Sequence, residues 1–174
     1  MASVVFLRAA NVGGTNVFRP AELVTALKRL DIVNIGAAGT FVVRSSASAA
    51  DIRRALLAEM PFVPTMAVRP GRDVIALVRS RPFKGVAFSK DLRGWVGVMT
   101  GAPKLKPTLP LATPGGAGWY LRVDEIRGLV ALGLQRRHPD RPINTAKSLE
   151  AALGVPVTVR WWETIEKIAK ILES

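Results

Sequence analysis

The 174-residue sequence contains no cysteine and a single histidine, His138. The first absence excludes a disulfide framework, a thiolate nucleophile and every cysteine-ligated metal centre. The second excludes a His-rich metal site and makes any histidine-based triad depend on one residue. Acidic residues are scarce: 13 Asp and Glu stand against 25 Lys and Arg, for a formal charge of +12. Long apolar runs are missing too, since no window approaches the roughly eighteen uninterrupted apolar residues of a membrane span. The opening run, residues 2–7, is too short for a signal-peptide core and is cut by Arg8. The expected location is cytoplasmic, with no membrane partner.

What is present is globular: 49% hydrophobic and 22% charged residues. A chain of this length buries roughly two-thirds of its unfolded surface and needs no covalent staples. The positive charge is spread along the chain. Residues 1–87 carry 12 basic and 5 acidic side chains, and residues 88–174 carry 13 and 8. Such a field draws in phosphate-bearing partners and speeds their association, whether or not binding is specific.

Val4-Val5-Phe6-Leu7 reads as a strand running into the turn-rich segment Asn11-Val12-Gly13-Gly14-Thr15-Asn16. Pro20 suits the first turn of a helix with Leu23, Leu27 and Leu30 on one face. Strands at 32–35 and 40–44, a helix at 51–60 with Ile52, Ala55, Leu56 and Leu57 inward, and a strand at 65–68 complete a β-α-β-β-α-β order. A short helix is expected at 72–79. The second half offers strands at 95–99, 119–123, 129–132 and 156–160. Between the first two, residues 101–118 hold four Pro and four Gly and read as an irregular connection with no regular element. Asn144 caps a helix at 145–153 that Gly154 ends, and a closing helix runs over 162–172.

The expected fold is therefore α+β: two duplicated ferredoxin-like (βαββαβ) halves, 1–87 and 88–174, with antiparallel-type sheets, helices on one face and an extra C-terminal helix. The second half would lack its first helix. In this reading the first and third strands are parallel neighbours, so Arg8 and Arg44 emerge at the same end of the sheet, beside the Asn11 loop.

That loop is the leading candidate site. Adjacent glycines let successive amides point at one spot, an arrangement that suits an anion. It is not a nucleotide-hydrolase phosphate loop, because no Gly-Lys-Ser/Thr follows, and it lacks the third glycine of a dinucleotide fingerprint. The plain alternative is a tight strand-to-helix turn. Arg160-Trp161-Trp162 joins the last strand to the last helix and could hold a phosphate beside an indole; the helical spacing of Trp162 to Ile165 and Ala169 equally makes it a core residue. Gln135-Arg136-Arg137-His138-Pro139-Asp140-Arg141 is a dense basic loop, either a phosphate grip or solvated surface. Asp140 is poorly placed as a carboxylate partner for His138. No general acid, base or nucleophile stands out, and neither a cofactor motif nor magnesium-site spacing is present.

Phe6-Leu7-Arg8-Ala9-Ala10-Asn11-Val12-Gly13-Gly14, followed by Ala21-Glu22-Leu23, resembles the opening Leu-Arg-Gly-Ile-Asn-Val-Gly-Gly of the bacterial family called domain of unknown function 1697. Ala38-Gly39-Thr40-Phe41-Val42-Val43 is similar to its Ser-Gly-Asn-Val-Val-Phe strand. Thr158-Val159-Arg160-Trp161-Trp162-Glu163-Thr164 is similar to its closing Thr-Ala-Arg-Asn-Trp-Asn-Thr. A Ser-Lys pair is matched by Ala146-Lys147. The resemblance implies a duplicated ferredoxin-like fold and supplies no activity. Arg8, Asn11, Gly13, Gly14, Lys147, Arg160 and Trp162 match, while Ala38, Thr40, Trp161 and Glu163 replace the family's Ser, Asn, Asn and Asn. With Asn16 and Arg44 added from the loop geometry, these define the expected ligand-binding set. The expected partner is a small phosphorylated or carboxylated ligand. A nucleic-acid-binding module and a ligand-free scaffold are the alternatives.

Overall fold

The computed structural model describes residues 1–174, which form two units: Met1–Ser80 with Glu166–Ser174, and Arg81–Ile165. The last nine residues thus return to the unit that begins the chain.

The first unit contains β1 (Ser3–Leu7), α1 (Pro20–Ala26), a 3-10 turn (Lys28–Leu30), β2 (Ile32–Asn34), β3 (Thr40–Val43), α2 (Ala49–Glu59), β4 (Met66–Pro70) and α3 (Gly71–Arg79). Its sheet runs β2-β3-β1-β4. Pro at the first helical position starts α1, and Ser48 caps α2 by accepting the Asp51 amide at 3.1 Å. One sheet face, with Val5, Leu7, Phe41, Val43 and Val68, packs under Leu23, Leu27, Ile52 and Leu56 of the helical segments. Leu57, expected inward, is 45% exposed, because the buried stripe of α2 follows Ile52, Ala55 and Leu56.

Every pairing in this sheet is antiparallel. This corrects the parallel arrangement expected for the first and third strands. In the β1–β3 register Ser3 faces Val43 and Phe6 faces Thr40. Arg8, just past the end of β1, and Arg44, just past the end of β3, therefore leave from opposite ends of the sheet. The reason is the β2–β3 hairpin: it reverses β3 relative to β2, and so relative to β1. Residues of the second face, Val4, Phe6, Val42 and Ala67, are also buried. Neither face of this sheet is open to water.

The second unit contains β5 (Leu92–Met99), β6 (Leu111–Thr113), β7 (Leu121–Arg127), β8 (Val130–Arg136), α4 (Thr145–Leu153), β9 (Val157–Trp161) and the first turn of α5 (Trp162–Glu173). All its pairings are antiparallel, in the order β6-β7-β8-β5-β9. The connection after β5 is not wholly irregular: Leu111–Thr113 pairs with β7 as an edge strand. Asn144 caps α4 through the Lys147 amide, and Gly154 ends it with φ +67°. Trp95, fully buried, lies opposite Gly133 of β8, where an added Cβ would run into the Arg122 carbonyl oxygen. No helix is long and apolar enough to cross a membrane.

Candidate functional site

The chain leaves β1 held on both sides: the Leu7 amide donates to the Gly39 carbonyl and the Arg8 amide to that of Thr65. It then enters a loop in which Ala9, Asn11, Gly13, Gly14 and Asn16 all have φ between +51° and +76°. Asparagine and glycine accept the left-handed region readily; alanine does so at a cost. Ala9 stands where the family motif has glycine, and its φ of +52° supplies the physical reason for that glycine.

Asn11 is the loop's internal brace. Its Nδ2 donates to the Ala37 carbonyl at 2.9 Å, its Oδ1 accepts from the Phe18 amide at 2.9 Å, and its own amide donates to the Asn16 carbonyl. Asn16 Nδ2 donates back to the Ala9 carbonyl at 3.2 Å. Both asparagine side chains thus build the loop; they are not aimed into solvent as ligand groups. At the tip, the Thr15 amide donates to the Val12 carbonyl across Gly13-Gly14, and positive φ at both central residues makes this a type I′ turn. Both glycines are exposed, and an added Cβ at either would meet nothing within 4 Å. They are required by backbone conformation, not by close packing.

Beyond the loop, Val17, Phe18, Leu23 and Met60 line a cleft of about 460 Å³ with Arg19, Glu22 and Glu59 at its walls. Arg19 and Glu22 pair at 3.0 Å, so the cleft carries no excess of positive charge. Sequence spacing gave no signal for it, because Met60 lies far along the chain from Val17.

The remaining expected site residues do not gather at the loop. Arg44 is exposed at the far end of the first sheet. Lys147, Arg160 and Trp162 belong to the second unit. Arg160 is 9% exposed; its Nη1 donates to Thr158 Oγ1 and to the Val159 carbonyl, both at 2.8 Å, and burial lowers its pKa to about 10. Trp162 is 6% exposed, with its ring 5.1 Å from that of Phe83 in an edge-on contact. Its side chain is a packing element rather than a ligand platform. Lys147 is exposed on the first turn of α4. Trp161 is half-buried on the second core under the Arg93 guanidinium, 3.8 Å from the ring centroid, and Glu163 pairs with Arg93. These two substitutions relative to the family motif therefore support each other through Arg93.

No group of three His, Asp or Glu side chains is placed to hold a metal ion. His138 Nδ1 accepts the backbone amide of Asp140 at 3.1 Å, so that ring nitrogen takes no carboxylate partner.

No curated protein matches the sequence closely enough to count as a relative. The fold is similar to that of the conserved bacterial protein SP0830 from Streptococcus pneumoniae, with a TM-score of 0.63, 18% identity and 98% of both chains covered. Residues 1–108 match the family described as Protein of unknown function (DUF1697), and so the loop braced by Asn11, the first sheet and the start of the second unit all fall within the matched segment. The chain belongs to that family.

Proposed function

We propose that the protein is a binding protein, and that the tip of the loop around Gly13-Gly14, with Arg8 at its base, takes a small phosphorylated or carboxylated ligand. One observation carries this reading: the tip is fully exposed and yet braced from within by Asn11 and Asn16. A pre-organised loop does not lose conformational freedom when a ligand docks, so more of the interaction appears as affinity. The cleft beyond Phe18 would receive the apolar part of such a ligand. We propose further that the two sheets are copies of one ferredoxin-like unit. The orders β2-β3-β1-β4 and β7-β8-β5-β9 support this, with β6 as an addition at the edge.

The test compares melting temperatures in phosphate or sulfate with those in chloride at equal ionic strength. A ligand at 100 times its dissociation constant contributes about 2.7 kcal/mol, which reads as several degrees. The expected result is a phosphate-specific rise that Arg8→Ala removes. Arg44→Ala is the internal control, because Arg44 lies at the opposite end of the sheet, and the rise should survive it. Equal melting temperatures in the two salts would reduce the loop to a plain turn.

A further inference from the structure

At one end of the second sheet the start of β7 and the end of β8 bring aromatic and basic side chains together. The Arg136 guanidinium lies over the Trp119 ring, 3.8 Å from its centroid, and Arg122 sits over the same ring at 4.7 Å. Arg136 Nη1 also donates to the Ala117 carbonyl at 2.9 Å. Arg122 is neutralised by Asp124, but Arg136 has no carboxylate partner. A guanidinium fixed by a ring and a carbonyl keeps donors directed outward with little entropy left to lose.

The neighbours extend this feature. Arg137 follows, its amide bonded to the Asp91 carbonyl, which places the loop next to Lys90. Arg137, Arg141 and Lys90 are exposed and make no ion pair. Asp91 and Asp140 are the carboxylates nearest in sequence, and neither is engaged by these cations. Beside them the Tyr120 and His138 rings lie against each other, centroids 4.2 Å apart and planes tilted by 42°, both half-buried. The Arg136 amide donates to the Tyr120 carbonyl, so the backbone that carries the fixed guanidinium runs beside the backbone that carries the Tyr120 ring.

We propose that this end of the second unit binds single-stranded nucleic acid. Lys90, Arg136, Arg137 and Arg141 would meet backbone phosphates, and the Tyr120–His138 pair would stack a base. Isolated cations attract any anion; several cations without a carboxylate partner beside a ring pair that keeps part of its surface in solvent match the alternating phosphates and bases of a single strand. This site is independent of the loop proposed above and can fail or stand without it.

The experiment is fluorescence anisotropy with a labelled oligothymidylate of about twenty nucleotides, as used for single-strand binders. For four cations the log–log salt slope should be about −3, at about −0.7 per phosphate neutralised. The double variant Arg137→Ala/Arg141→Ala changes exposed side chains without partners, so folding should be untouched. Its slope should shrink by about 1.4 units, with affinity at least roughly tenfold weaker at low salt. Tyr120→Ala should weaken binding with the slope unchanged, since stacking releases no counterions. The comparison is Lys28→Ala/Arg29→Ala, which removes the same charge from an exposed turn of the first unit and should leave binding as in wild type. Equal losses from the two double variants would overturn the proposal in favour of diffuse attraction by net charge. So would wild-type binding weaker than roughly millimolar at low salt, where even non-specific binders do better. Inorganic phosphate that competes fully at micromolar concentration would overturn it in favour of a small-anion site.

Discussion

The two sheets, one of four strands and one of five, are both antiparallel throughout but differ in the chain that follows their first strand, β1 in one and β5 in the other. In the first unit β1 reaches β2 through a loop, α1 and a 3-10 turn, which lay Phe18, Leu23, Leu27 and Leu30 on the core. In the second, β5 reaches β7 through a segment rich in Pro and Gly that lays Leu109 and Leu111, both partly buried, on the core, and buries Trp119 at its end. A helix satisfies its own backbone and delivers side chains every three or four residues. An irregular chain must find other outlets for its amides. Here β6 pairs with β7, and the Lys104 and Leu105 amides donate to the Leu153 carbonyl. Volume is supplied by the fully buried Trp95, which fits because β8 presents Gly133 opposite it. The unit without a helix after its first strand thus fills its core with one large ring opposite one missing Cβ.

The most forceful way to break that arrangement is Gly133→Ala. The new Cβ would run into the Arg122 carbonyl oxygen, which is backbone, and into Cζ2 of the fully buried Trp95. We expect a loss of more than about 3 kcal/mol in urea unfolding, beyond the usual range for overpacking. Gly39→Ala is the counterpart in the first unit: φ is +71° and its Cβ would stand 2.7 Å from Leu7 Cβ. It should cost roughly 2 kcal/mol, combining left-handed strain with a contact to a side chain. A Gly133→Ala variant as stable as wild type would mean that the β7 backbone at Arg122 yields as readily as the Trp95 ring.

Truncating the two connections sharpens the contrast. Leu23→Ala empties a buried position on α1 and should cost about 2–4 kcal/mol. Leu111→Ala, at a half-buried edge, should cost about 1 kcal/mol. Similar losses in equilibrium unfolding would show that the irregular segment closes its core as tightly as a helix does.

A smaller effect, of opposite sign, belongs to the loop. Ala9→Gly relieves a left-handed alanine and should stabilise the protein by about 0.5–1 kcal/mol, after the added flexibility of the unfolded glycine is subtracted. A drop in melting temperature would mean that the Ala9 methyl makes a contact worth more than the strain.

The smallest effect is electrostatic and lies in the second unit. The Arg127 guanidinium, hydrogen-bonded to Glu125, holds that carboxyl below its ordinary value against a weaker upward push from burial. A pKa lowered in the folded state means stability that is present above the ordinary carboxylate value and lost as pH falls through the folded one. In Arg127→Ala the Glu125 titration midpoint, followed by NMR, should move up towards the ordinary value. An unchanged midpoint would assign the shift to another group.

Much of this was legible in the sequence where a local rule acts alone. Asn144 and Gly154 marked α4 to the residue, and the order of the main elements followed from apolar period and turn residues. Strand direction was not legible in that way. It depends on the parity of connections, and the β2–β3 hairpin reverses β3, which separates Arg8 from Arg44. Edge strand β6 escaped notice because three residues between prolines carry no period, and only its pairing with β7 defines it. At the loop the conserved-looking pattern was visible, but the role of Asn11 was not. Its three partners, Ala37, Phe18 and Asn16, are brought to it by the fold. The same holds for Arg136 and Trp119, which β7–β8 pairing unites across a gap in sequence.

The return of residues 166–174 to the first unit imposes an order in time. Gly71, at the start of α3, leaves room for Leu172, whose Cδ2 lies 2.8 Å from where a Cβ would be, and Arg79 pairs with Glu173 at 2.9 Å. A ribosome delivers the chain from its N-terminus, and units usually fold as they emerge. Here the second unit, continuous in sequence, is complete once Ile165 has appeared. The first unit, although it begins first, receives its segment Glu166–Ser174 only after the whole of the second has been made. A ribosome-bound chain halted at Ile165 would lack the Leu172 and Glu173 contacts.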